Sequence, residues 1–310
     1  MSVCRRSSGR CEMFISSEAL IQTFEGQLTN QVSNIADLQL QLSSGQVLNR
    51  PSDNPSAVTQ VLALSSQAKQ LSSWQTNVDT ATAWLGIANN TTNSVLGSMQ
   101  SASSLLLQAE NQGAQSPATY EALGTQLQGV IANLLSLSNT QYEGRAIFAG
   151  TSTSPQAYDA NGNFLGTTDI PTAVIGPGYG VGQTVGLTVP GTAVFGVGAS
   201  NVFATLSSAA AALLSGTPTS AALSSATTAL NAIMAGAERA SATLGDASQL
   251  VAAASSTLAS EIANVQSSQA SMENVNLATA TTQLNLETTS YQAALWAASQ
   301  AIPETLMKFL

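Results

Sequence analysis

Apolar and small residues recur at alternating three- and four-residue steps from Leu64 to Ala109. One line runs Leu64, Leu71, Val78, Leu85, Thr92, Met99, Leu106, and a second runs Trp74, Ala81, Ala88, Val95, Ala102, Ala109. Two interleaved seven-residue lines, offset by three, make a narrow seam down one side of an α-helix, and such a seam asks for a partner helix. At about 1.5 Å per residue this helix is roughly 70 Å long, more than a compact domain needs.

The same spacing predicts three further helical regions. The first covers about Ser16 to Leu42, with Ile21, Leu28, Ile35 and Leu42 seven apart and Phe24 and Val32 on the same side. Ser43-Ser44-Gly45 ends it, glycine being favoured just after a helix C-terminus. The connector Gln46 to Pro55 holds Asn49, Pro51, Asp53 and Asn54, two prolines and capping side chains that predict a rigid turn. Ser116-Pro117 restarts the chain as N-cap and first helical residue, and Tyr120, Leu123, Leu127, Val130, Leu134 and Leu137 continue the pattern. That short connection predicts an antiparallel neighbour of the long helix. A brief Ala/Leu helix near Val202 to Leu214 precedes eight positions in steps of seven: Leu223, Leu230, Ala237, Leu244, Val251, Leu258, Val265 and Met272. The register then shifts. Leu295, Ile302 and Phe309 form one line, with Leu284, Tyr291 and Ala298 as its companion and Leu306 alongside; Pro303 is expected to interrupt the final turn.

Between Gly144 and Ser200 the period changes. Glycine and proline become frequent, and β-branched runs appear at 172–175, 184–185 and 187–189. Asn161-Gly162, inside Tyr158 to Phe164, predicts a tight hairpin. The predicted fold class is mainly α with a β-rich insertion: a long antiparallel helical rod or coiled coil from both chain ends, with a small β domain in the middle. The expected segments are a disordered leader or mis-assigned start (1–13), an N-terminal assembly helix and connector (14–55), an outgoing helical stretch (56–143), the β-rich insertion (144–200), a returning stretch (201–260) and a C-terminal assembly helix (261–310).

Composition narrows the function. Among 310 residues only 8% are charged and 5% aromatic, so amides and hydroxyls solvate the surface. The net charge is −9, with no basic run beyond Arg5, Arg6 and Arg10, which argues against nucleic acid and against a polybasic membrane anchor. No charge falls between Asp169 and Glu238, yet Gly, Pro, Ser and Thr break that stretch before any apolar run of about 18 residues, so no span is expected. Both cysteines, Cys4 and Cys11, precede Met13, where the ordered chain is expected to begin; no disulfide framework or cysteine metal site follows. No apolar stretch follows the early arginines, so a cleaved secretory signal is not expected.

Histidine is absent, which removes Ser–His, Cys–His and zinc-protease chemistry. Glu110, Glu121, Glu143 and Asp159 stand singly, without the spacing of an acid–base pair. Gly176-Pro-Gly-Tyr-Gly180 lacks the Lys-Ser/Thr ending of a phosphate loop and reads as a turn. Trp74, Trp84 and Trp296 fall on helical segments and read as packing or intersubunit anchors. Arg145 and Arg239 read as solvated surface, with an intersubunit ion pair as the alternative. No catalytic, cofactor or metal residues are expected.

Four strings then carry a resemblance. Leu42 to Ser56, with Gly45, Asn49, Pro51, Asp53 and Pro55, resembles the connector of the bacterial flagellin superfamily. Gly144-Arg145-Ala-Ile-Phe148-Ala-Gly150-Thr151 looks like the Gly-Arg-aromatic-Leu-Phe-Ala-Gly-Thr string of the hook-associated protein 3 (hook–filament junction) branch, and Val189 to Gly196 is similar to that branch's middle region. The segment Glu287 to Leu310 looks like a shared terminal helix, though Pro303 is flagellin-like. The resemblance implies a secreted, non-enzymatic flagellar subunit, exported unfolded without a cleaved signal. It further implies a homo-oligomeric ring whose partners are flagellin, the other hook-associated junction protein, and an export chaperone and apparatus; the filament flagellin itself is the alternative. The assembly interface is placed on Ile21, Phe24, Leu28, Val32, Ile35, Leu42, Leu284, Tyr291, Leu295, Ile302, Leu306 and Phe309. These ends are expected to fold as a coiled coil only on packing with neighbours.

Overall fold

The computed structural model describes residues 17–111, 116–177 and 182–307. The segment 1–13, with both cysteines, lies outside them, as does Phe309. The elements run α1 (Ser17–Ser44), α2 (Pro55–Asn111), α3 (Pro117–Ser138), β1 (Gln141–Tyr142), β2 (Arg145–Ala146), β3 (Thr172–Gly176), β4 (Gln183–Gly186), α4 (Gly191–Phe195), α5 (Val202–Leu214), α6 (Ser220–Glu273) and α7 (Leu277–Met307). The expected mainly α fold with a central β insertion is what forms. None of the described helices is long and apolar enough to cross a membrane. Two compact units result: residues 68–263, and a terminal unit from residues 1–67 and 264–310.

In unit 68–263 the long seam is a core. Leu71, Val78, Leu85, Met99 and Leu106 are fully buried, as are Ala81, Ala88, Val95 and Ala102 on the second line. The alanines let a neighbouring helix approach closely, while the leucines fill the space between. On α6 the line Leu223, Leu230, Ala237, Leu244, Val251 and Leu258 is buried as well. Asn89 Nδ2 donates to Ser248 Oγ at 3.0 Å, tying α2 to α6, and Asn133 Nδ2 donates to Ser98 Oγ at 2.9 Å, tying α3 to α2. Residues 98 and 133 lie at similar distances from the intervening turn, as antiparallel neighbours must. The inner face of α3, with Leu123, Gly124 and Leu127, packs on α5, where a Cβ at Gly124 would lie 2.9 Å from Leu214. The predicted Ser116 cap differs: its hydroxyl meets Thr119 Oγ1 at 3.0 Å and makes no side-chain bond to the helix backbone.

The insertion is thinner in strand than its composition suggests. It holds two antiparallel ribbons, β1–β2 and β3–β4. β1 turns into β2 through Glu143 (φ 49) and Gly144 (φ 78), two positive dihedrals that match the tight hairpin turn twisting with its strands. The predicted Asn-Gly hairpin forms as a single bridge, Tyr158 to Phe164. Asp159 holds its turn: its carboxylate accepts from the Asn163 side chain at 2.8 Å and from the Asn161 and Asn163 amides. Those bonds, the Asn163 side chain first, lower its pKa below the usual carboxylate range. Behind the turn, Phe148, Tyr158, Phe164, Phe195 and Phe203 form an aromatic cluster with centroids 5.1–5.6 Å apart.

One terminal expectation is corrected. Pro303 does not end the last helix: α7 runs through it to Met307. A proline removes one N–H and one backbone rung, and α7 continues past that lost rung to Met307.

Candidate assembly surface

The connector motif does local structural work. Gly45 sits at φ 75, a dihedral that favours glycine, and turns the chain out of α1. Asn49 Nδ2 donates to Gln46 O at 2.9 Å, and Asp53 Oδ2 accepts from the Arg50 amide at 2.8 Å. Asn54 Oδ1 accepts from the Ala57 amide at 3.1 Å and caps α2, whose first residue is Pro55. Pro51 lies inside this turn. The connector also pairs with the α6–α7 junction: Val47 N donates to Glu273 O at 2.7 Å and Val275 N to Gly45 O at 3.0 Å. Asn276 Oδ1 accepts from the Ala278 and Thr279 amides at 3.1 and 3.2 Å and caps α7. The end of α1 is thereby fixed beside the start of α7, and because the two helices pack along one another they run antiparallel. Asp37 and Arg50 are 3.9 Å apart, the one ion pair among the described residues, and both are exposed, so it adds little.

The seam between α1 and α7 is shallow. On α1 the half-buried positions step as Phe24, Leu28, Gln31, Ile35, Leu38, Leu42; on α7 as Ala280, Leu284, Glu287, Tyr291, Ala294, Ala298, with only Ala280 fully buried. Both are unbroken 3-4 heptads. Two predicted members stand off them. Val32 is 49% exposed and Leu295 43% exposed, because each is one residue past the position that faces the partner helix, about 100° around the helix. Gln31 and Glu287 occupy seam positions that apolar bias overlooks, and the Gln31 Oε1 is buried without a hydrogen bond among the described residues. Ile21, Ile302 and Leu306 lie on α1 and α7, but their side chains are outside the described ones.

A heptad step read with a polar residue allowed at every second position would have found Gln31 and Glu287. The outward faces add a second feature: Leu40, Leu286 and Trp296, the last 69% exposed, stand away from the seam. At ~100° per residue, Trp296 is about 160° around α7 from the seam. On α7 in particular, Leu286 and Trp296 leave apolar surface that the α1–α7 seam does not cover.

The second motif lies in the other unit. Ile147, Phe148 and Ala149 are fully buried, and Gly150 has φ 66, where an added Cβ would collide with Thr167 O. Arg145 departs from the expected solvated cation: its guanidinium lies over the Trp84 ring at 5.9 Å, with Tyr142 edge-on to the same ring at 5.3 Å. Thus Phe148 and Gly150 lie in the insertion's core, Gly144 turns β1 into β2 at the surface, and Arg145 is half-buried beside it.

Residues 15–153 match the family described as the bacterial flagellin N-terminal helical region. Over 156 residues the chain is 31% identical to flagellar hook-associated protein 3 of Salmonella typhimurium, and over 157 residues 30% identical to that of Escherichia coli. Each match covers 50% of this chain, and the chain spans 49% of those relatives' length. In fold, the chain is similar to a protein of Vibrio parahaemolyticus assigned as flagellar hook-associated, with TM-score 0.65, 20% identity, 72% of this chain and 100% of that one. It is similar also to FlgL of Bacillus cereus, with TM-score 0.58, 19% identity, 67% of this chain and 99% of that one. Residues 15–153 are thus similar to the bacterial flagellin N-terminal helical region, and half of the chain is similar in sequence to flagellar hook-associated protein 3.

Proposed function

We propose that this chain is a structural, non-catalytic subunit of the bacterial flagellum that joins the hook-associated region to the filament. In this reading it assembles by coiled-coil packing of α1 and α7 with the same helices of neighbouring copies. One observation carries the proposal. Among the described residues only Val265 and Ala280 of the terminal unit are buried apolar side chains, while Val32, Leu40, Leu62, Leu277, Leu286, Leu295 and Trp296 are exposed there. A unit with almost no core and an apolar exterior gains stability by covering that exterior. The partners in this reading are flagellin, the other hook-associated junction protein, an export chaperone and the export apparatus, and further copies forming a ring. The site of action is the extracellular flagellum, reached through the flagellar export channel without a cleaved signal peptide.

A filament flagellin is the second reading, favoured by the uninterrupted α7 with its Pro303 ending. Adding purified full-length chain to isolated hook–basal bodies separates the two. Short capped ends that then accept flagellin support the junction subunit. Long filaments of this chain alone support flagellin, and no incorporation contradicts both.

A further inference from the structure

Arg145 is the one cation among the described residues that is half-buried; Arg50, Lys69 and Arg239 are exposed. Arg50 has Asp37 beside it and Arg239 donates its Nε to Ala235 O of its own helix at 3.0 Å. Arg145 has neither kind of partner. No carboxylate and no hydrogen-bond acceptor among the described residues meets its guanidinium, which is held over Trp84 while Tyr142 braces the ring from the edge. Trp84 is itself buried, and its Nε1 also lacks an acceptor. A planar fork of five donors, partly withdrawn from water and fixed against an aromatic platform, is pre-organised for a bidentate acid. The ordering of its long side chain, normally a cost of binding, is already met by the stacking.

We infer that Arg145 is a docking point for a carboxylate side chain of a second copy of this chain, completing a contact between neighbouring subunits through unit 68–263. Charge complementarity favours a second copy: acidic residues outnumber basic ones 17 to 8. Within the same unit Asp79, Glu121, Glu143 and Asp169 are exposed with no ion pair. Each copy therefore presents spare carboxylates and one prepared cationic seat. The inference rests on the proposed assembly role, and it places a specific polar contact away from the apolar terminal helices.

The test uses full-length chain added to hook–basal bodies, as wild type, R145M and R145K. Methionine keeps an unbranched stem over Trp84 and removes the charge, so a purely structural lid survives in R145M. The expected result is at least a tenfold loss of bound R145M with helical signal and melting temperature as in wild type. Wild-type binding should also fall between about 0.05 and about 0.5 M salt more steeply than that of R145M. Carbodiimide treatment of assembled R145K should link position 145 to an acidic peptide of another copy. R145M incorporating like wild type overturns the inference and leaves the assembly role intact. A link only to a different component's peptide overturns the assigned partner, and failure of the wild type itself to incorporate overturns the assembly role and this inference with it.

Discussion

At the scale of single residues, the insertion is held by a few polar side chains that reach across the sequence. Asn139, at the end of α3, accepts from the Ala157 and Tyr158 amides at 2.8 and 3.0 Å and donates to Tyr158 O at 2.9 Å. Asn201 caps α5 through the Ala204 amide at 2.7 Å and donates to Gly162 O at 2.9 Å, locking the hairpin against that helix. Asn139→Ala strands two backbone N–H groups, and we expect it to lower the unfolding free energy by about 2–4 kcal/mol in urea titrations. Gly150→Ala meets both a positive φ and a collision with the Thr167 carbonyl, and should cost about 2 kcal/mol or more by the same measurement. Asp159 supplies a pH signature. Its pKa is lowered in the folded chain, so its contribution is present above the unfolded value and is lost as pH falls through the lower, folded one. The Asn161 and Asn163 amide resonances should therefore move only below the ordinary aspartate range. Sequence pattern exposed the Asn-Gly turn through its local chemistry. It could not expose the bonds from Asn139 to Ala157 or from Asn201 to Gly162, since those partners lie 18 and 39 residues away and no periodicity marks a long-range hydrogen bond.

At the scale of elements, heptad spacing located the helices because burial and helical geometry share one period. Of the eight positions in the line from Leu223 to Met272, the seven through Val265 are buried and Met272 is half-buried. The terminal helices have the predicted period, and two of the predicted interface residues, Val32 and Leu295, fall outside the α1–α7 seam. A search for apolar residues favours Val32 over Gln31 and Leu295 over Ala294, although the heptad places Gln31 and Ala294 toward the partner helix. That distinction gives two separable mutations. Leu28→Asp puts a carboxylate into the seam, where an unpaired charge costs several kcal/mol; the chain should remain in solution and fail to incorporate at hook ends. Trp296→Ala alters only the outward face, so the free chain should keep its circular dichroism spectrum while incorporation drops at least tenfold, as expected for a buried aromatic anchor. Undiminished incorporation of Trp296→Ala would assign the outward face no role.

At the scale of the whole molecule, apolar burial is divided unevenly between the two units. Among the described residues unit 68–263 contains nearly all of the buried apolar side chains, whereas α1 and α7, helices of 28 and 31 residues, have one, Ala280. Isolated helices are marginal in water, and most of their stability in proteins comes from packing of an apolar face. The composition, poor in charge and rich in amides and hydroxyls, suits surfaces that are later covered. Fold class, the connector turn and the exclusion of histidine chemistry were legible in residue order. The imbalance between the units was not, because apolar spacing looks alike in a deep core and in a shallow seam. Hydrogen exchange measured on the free chain and on chain assembled at hook ends tests this imbalance most directly. The account predicts that amides of α1 and α7 exchange rapidly in the free chain and become protected on assembly, while those of α2 and α6 between residues 71 and 258 are protected in both. Protection of α1 and α7 in the free chain equal to that of the α2 core would contradict it.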